Sequence, residues 1–150
     1  MVGAYLNADL DEEIYMEAPP GVLRPNEKGK VAKLLKCIYG LKQAGRKWQK
    51  KMLSDLHAMG FRTSCMDHSV FVRHHGSETM IVPVSTDDMP VTSTSCKAID
   101  NFKEELSNCF EITDLGELKW MLGFEVKCDW KTKTIAINQK SYLECKSPNV

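Results

Sequence analysis

The sequence predicts an α+β fold built on antiparallel sheet. Its strand-like and helix-like stretches follow one another in blocks, where a parallel sheet would alternate one strand with one helix. Two helical stretches carry apolar residues at helical spacing, and the strand-like runs are joined by short turns. A chain of 150 residues, 43% hydrophobic and 27% charged, supports one folded domain with a core.

The elements read in order along the chain. Residues 2–6 predict a short strand and 14–16 another, with an acidic turn between them. Pro19-Pro20-Gly21 and Pro25-Asn26 mark a loop. From Ala44 a helix is expected, with Trp48, Met52, Leu56 and Met59 on one face and Arg46, Lys47, Lys50 and Lys51 on the other. Gly60 stops it. Residues 70–73 and 78–84 flank a His74-His75-Gly76-Ser77 turn and predict a hairpin. Pro83 and Pro90 then bracket Asp87-Asp88; proline cannot donate to a ladder, which favours a short hairpin with one poorly paired edge. Ile99, Phe102, Leu106 and Phe110 predict a second amphipathic helix started by Thr94 or Ser95. Residues 118–126 and 132–138 make a final hairpin around Asp129-Trp130-Lys131, and Lys140 begins a helix that Ser147-Pro148 cuts short.

Zero net charge conceals a strong asymmetry. Residues 1–23 carry five acids and no Lys or Arg, whereas residues 24–62 carry eleven basic residues against Glu27 and Asp55, or +9. The remainder sums to −4. A basic middle suits a surface that meets phosphate, although a solvated lysine-rich helix face has the same composition. No run approaches membrane-spanning length and no export signal opens the chain, so a cytoplasmic or nuclear protein is expected. The six cysteines form no C-x-x-C pair and read as reduced. Cys65, His68 and His74 or His75 supply zinc-type ligands, but their spacing fits no closed set and ordinary loop residues are the plainer reading.

The chemistry-bearing feature is Asp87-Asp88, between the apolar run 80–84 and the extended-reading 89–94. Two adjacent carboxylates on a tight turn repel each other, and a multivalent cation neutralises them. Alone, such a pair is also an ordinary solvated turn. Its surroundings add weight. Met1-Val2-Gly3-Ala4-Tyr5-Leu6-Asn7 opens the chain and leads into Leu10-Asp11-Glu12-Glu13-Ile14-Tyr15-Met16. Ile38-Tyr39-Gly40-Leu41-Lys42-Gln43-Ala44 follows, then Thr86-Asp87-Asp88-Met89, Asp114-Leu115-Gly116-Glu117 and Met121-Leu122-Gly123-Phe124-Glu125-Val126. In order and spacing these stretches resemble the reverse transcriptase of copia-type LTR retrotransposons, with the Tyr-Gly-Leu-Lys-Gln-Ala block the most specific.

The resemblance implies a palm-type antiparallel sheet packed on helices and RNA-directed DNA synthesis with Mg2+, deoxynucleoside triphosphates and an RNA or DNA template-primer. Catalysis would rest on Asp87 as a direct metal ligand, with Asp88 assisting. Tyr5 would lie under the sugar of the incoming nucleotide, and the amides around Gly3 and Ala4 would meet its triphosphate. Gln43 would touch nucleotide or template, and Arg46 would meet phosphate at the helix start, where the family has proline in place of Gly45. Leu122, Gly123 and Phe124 would grip the primer. On this reading residues 1–150 are a partial domain, a fingers remnant and palm without thumb or RNase H. The family's other essential carboxylate falls one position before Met1, so no polymerase activity is expected from the chain alone. The uncovered palm would expose Trp120, Met121 and Phe124. Two other classes stand beside this one: a non-catalytic nucleic-acid-binding module, and an unrelated zinc or scaffold domain.

Overall fold

The computed structural model describes residues 1–22 and 29–146. The Pro25-Asn26 loop and the Ser147-Pro148 helix stop lie outside the described residues. The chain divides into two compact units, Met1–Ile112 and Thr113–Val150.

The first unit mixes helices with antiparallel sheet. Strand β1 (Tyr15–Glu17) pairs with β2 (Val31–Lys33), Met16 opposite Ala32. Helix α1 (Ala44–Ala58) follows. A four-stranded sheet then runs in the order β3 (Arg62–Thr63), β4 (Val70–His75), β5 (Glu78–Pro83), β6 (Thr92–Ser93). Helix α2 (Cys96–Ser107) packs against β5 and β6.

Helix α1 forms because Trp48, Met52 and Leu56, four residues apart, bury one face. It has no side-chain N-cap. Its end is better specified: the Gly60 N–H donates to His57 O and the Phe61 N–H to Leu56 O, each at 3.0 Å. Those crossed bonds require a left-handed residue, and Gly60 supplies φ +85°. Phe61 thereby enters the core beside Leu56. Helix α2 starts at Ser95, whose Oγ accepts the Ala98 N–H at 3.3 Å. Of the two candidate caps, Ser95 and not Thr94 is the one used.

The core alternates as half-buried strands should. Phe71 on β4 faces Val82 on β5, both buried, and Met80 opposes Arg73. Arg73 closes the edge: its guanidinium lies 4.7 Å from the Phe61 ring centre and bonds Glu105 at 2.6 Å and Met59 O at 3.0 Å. Phe102 and Leu106 of α2 complete the core, with Phe110 buried just past the helix.

Two expected strands differ. Residues 2–6 form no strand; Ala4–Asn7 is a 3₁₀ turn entered through Gly3 at φ 55°. The apolar run 2–6 suggested a strand, but Asn7 decides against it. Its side-chain amide donates to Gly3 O at 3.1 Å, offering the backbone a local partner that a ladder would otherwise supply. Ala4 alone of the turn is buried. Residues 118–126 are not one strand either. Leu122 and Gly123 both take positive φ, 50° and 82°, the signature of a two-residue hairpin turn.

The second unit is therefore a three-stranded meander: β7 (Trp120–Met121), β8 (Phe124–Asp129) and β9 (Thr134–Asn138), followed by α3 (Lys140–Lys146). Asn138 opposes Glu125 and donates to its carboxylate at 2.9 Å, which holds that carboxyl below the usual range together with Lys127. None of its described residues is buried. Trp120 and Phe124 are exposed as expected; Met121 is half-buried.

Candidate functional site

The acidic pair occupies a tight hairpin tip. Ser85 and Asp88 exchange both backbone bonds, at 2.9 and 2.8 Å, leaving Thr86 and Asp87 as the central residues. Thr86 takes φ 46°, a costly conformation for a β-branched residue. Buried Trp48 holds it there, its indole N–H donating to Thr86 O at 3.0 Å. Trp48 is thus core and strut together. Pro83 ends β5 and the paired edge beyond it is only Thr92–Ser93, as the two prolines suggested.

That geometry turns Asp87 toward the start of the chain while Asp88 stays exposed. The Ala4 N–H donates to Asp87 Oδ1 at 2.9 Å, and the Met1 ammonium donates to the Asp87 carbonyl at 2.6 Å. The Tyr39 hydroxyl lies 2.8 Å from Oδ1 and 2.7 Å from Oδ2. This bond to a carboxylate pushes the Tyr39 phenol up to about 12, with burial adding to the effect. Tyr39 also packs on Tyr5, ring centres 4.5 Å apart.

Gly3, Ala4 and Tyr5 are therefore brought together with Asp87, although the segment that carries them is a 3₁₀ turn. The Ala4 amide is taken up by Asp87 in this arrangement. Beside Tyr5 opens a cleft of about 280 Å³, bordered by Gly45, Trp48, His68, Val84 and Thr86. A Cβ at Gly45 would meet only the Tyr5 hydroxyl, at 3.9 Å.

Gln43 and Arg46 stand elsewhere. Gly45, Trp48 and Met52 face the Tyr5 cleft, whereas Gln43, Arg46, Lys47 and Lys50 line a separate hollow of about 260 Å³ with Glu12. At roughly 100° per residue those two sets lie on opposite faces of the helix. Gln43 donates to Glu12 at 2.5 Å, and Lys47 pairs with Asp11, which raises the Lys47 pKa. Lys36 pairs with Asp9 at 2.6 Å, holding that carboxyl below its usual range, and Lys33 pairs with Glu13. The acidic opening stretch thus lies along part of the basic middle. Opposite charge in the two blocks was the available signal for this pairing.

Leu122 and Gly123 form the β7–β8 turn of the second unit and Phe124 opens β8, all three exposed. Tyr39 is the residue that sequence reasoning left without a role. Among the described residues, no three His, Cys, Asp or Glu side chains converge to hold a metal, around Cys65 or elsewhere. For magnesium this donor set still fits in kind. That ion takes one or two carboxylates and fills its other positions with water and phosphate oxygens, and Asp87 and Asp88 are hard oxygen donors at a partly open tip. Among the described residues no helix is long and apolar enough to cross a membrane.

The structure thus sets a hairpin-borne acidic pair beside an Ala-Tyr turn on an α+β scaffold. The family model described as reverse transcriptase (RNA-dependent DNA polymerase) matches residues 1–146, and the chain belongs to that family. It is 36% identical to the retrovirus-related Pol polyprotein from transposon RE1 of Arabidopsis thaliana, over 83% of the chain and 8% of that protein. The corresponding polyprotein from transposon TNT 1-94 of Nicotiana tabacum is 32% identical over 94% of the chain and 11% of its own length. The putative transposon Ty5-1 protein of Saccharomyces cerevisiae is 32% identical over 82% of the chain and 40% of its length. These relatives place the chain among copia-type reverse transcriptases, of whose polyproteins it spans a small part. No solved structure matches it significantly.

Proposed function

We propose that this chain is the palm-type, metal- and nucleotide-facing part of a retrotransposon reverse transcriptase. One observation carries the reading: the 2.9 Å bond from the Ala4 amide to Asp87 Oδ1 joins the Gly3-Ala4-Tyr5 turn to the acidic hairpin. Asp87 and Asp88 would hold the divalent cation. When bound, magnesium lowers the charge on the attacking primer oxygen and on the leaving pyrophosphate. Tyr5, half-buried beside Asp87, would lie under the deoxyribose. Gln43 and Arg46 face the basic hollow, which suits template or phosphate contact more than the reacting end of the nucleotide. The exposed Leu122-Gly123-Phe124 stretch would be the primer-contacting element.

A two-cation reaction would need further carboxylates, and among the described residues no third His, Cys, Asp or Glu joins Asp87 and Asp88. We infer that Asp87 and Asp88 bind a cation here and that turnover needs a further carboxylate. That observation also favours the second reading, a nucleic-acid-binding module held by backbone charge. Part of that charge is already taken by the acidic stretch, so the binding is modest.

One experiment tests both parts. The 150-residue chain is mixed with a primed RNA template, Mg2+ and deoxynucleoside triphosphates, and duplex affinity is measured across a salt series. No primer extension is expected, with affinity falling as salt rises by a log–log slope of about −0.9 per phosphate engaged. Extended product would overturn the inactivity, and a flat salt response would remove the nucleic-acid contact.

A further inference from the structure

We propose that Tyr39 is a latch on the Asp87 carboxylate, a positioning residue that a divalent cation must displace in order to bind. The inference rests on the reading of Asp87 as a cation ligand. A hydroxyl 2.8 and 2.7 Å from the two oxygens sits across the mouth of the carboxylate, where a cation gripping both would sit. The Ala4 N–H approaches Oδ1 separately, and a carboxylate oxygen has lone pairs for both partners. Only the Tyr39 bond therefore stands in the way.

The residue is built to let go. Tyr39 is 52% exposed, so water replaces its bond when the phenol swings out, and the proton stays on the phenol throughout. Its ring rests 4.5 Å from that of Tyr5, so the movement is felt at the edge of the Tyr5 cleft. With no cation, the latch keeps Asp87 turned inward against repulsion from its neighbour Asp88. With one, the same contact is a cost that the cation must overcome.

The test is Mn2+ affinity, read from the paramagnetic resonance of the unbound ion, in the full chain and in Tyr39→Phe and Asp87→Asn variants. Asp87-dependent binding that tightens roughly three- to tenfold in Tyr39→Phe is expected, an exposed hydrogen bond to a charge being worth about that much. Asp87-dependent binding that is unchanged or weaker in Tyr39→Phe overturns the latch and leaves the cation site standing. Binding indifferent to Asp87 in every variant overturns both. Should Tyr39→Phe fail to fold, Mg2+ titration of the unsubstituted chain decides by NMR. Tyr39 ring resonances that move on saturation support displacement, and resonances that stay fixed while Asp87 shifts contradict it.

Discussion

In Asp87→Asn the chain keeps its fold and loses divalent-cation affinity by about tenfold or more, at least ~1.4 kcal/mol. The two side chains are nearly isosteric, and the amide oxygen still accepts one bond from the Ala4 N–H or the Tyr39 hydroxyl, which now span 2.7 to 2.9 Å to the carboxylate. What disappears is the charge, and with it half of the acidic pair. The folding cost is about 1 kcal/mol, from one weakened and one lost bond at a half-exposed site. Mn2+ binding and thermal melting measured side by side separate the two effects. In a reverse transcriptase containing this chain, the same substitution lowers primer extension roughly a thousandfold, about 4 kcal/mol of transition-state stabilisation. Equal Mn2+ affinity in the two proteins would deny Asp87 a ligand's role.

The second large effect is on stability. Phe102 is fully buried in α2, its ring 5.0 Å from that of Phe61, with the Arg73 guanidinium 5.6 Å away on the same ring. Phe102→Ala removes the ring that ties α2 to the chain end of α1 and leaves a cavity that fixed backbone on both sides cannot close. The expected cost is about 3–5 kcal/mol, against a total of about 5–15 kcal/mol for a domain. Thermal melting by circular dichroism should show a drop of more than about 10 °C. Phe124→Ala in the second unit, where the ring is 40% exposed, is the contrast and should cost less than about 1 kcal/mol. Equal losses at the two positions would mean that burial has been misjudged.

Features with local causes were legible before the structure. Helix α1 announces itself by Trp48, Met52 and Leu56, its stop by Gly60, and α2 by its apolar spacing, with its cap narrowed to Thr94 or Ser95. The β4–β5 hairpin is equally local, set by alternation on either side of Gly76-Ser77. Errors arose where a side chain outbids a ladder. Residues 2–6 form an apolar run that reads as a strand, yet Asn7 bonds backward and Ala4 is buried in a turn. Residues 118–126 look continuous by their apolar content, and Gly123 is the sequence signal for the reversal that the positive φ at Leu122 and Gly123 makes. At the candidate site the acidic pair was visible as composition, while its environment was not. Tyr39 meets a partner 48 residues away, and Trp48 braces a carbonyl 38 residues away. Such contacts belong to the tertiary fold. The charge blocks show the same boundary: opposite signs were plain, but pairing of Asp11 with Lys47 and Asp9 with Lys36 takes away charge that composition alone offered to phosphate.

Everything functional hangs on the opening turn lying beside a cation site at the acidic tip. Paramagnetic broadening of backbone amide signals by substoichiometric Mn2+ reads this directly, residue by residue, since the effect falls steeply with distance from the ion. Signals of Ala4, Tyr5, Tyr39, Asp87 and Asp88 should vanish first and together. Broadening centred instead on Asp9, Asp11, Glu12 and Glu13, with Ala4 and Asp87 left sharp, would contradict the account.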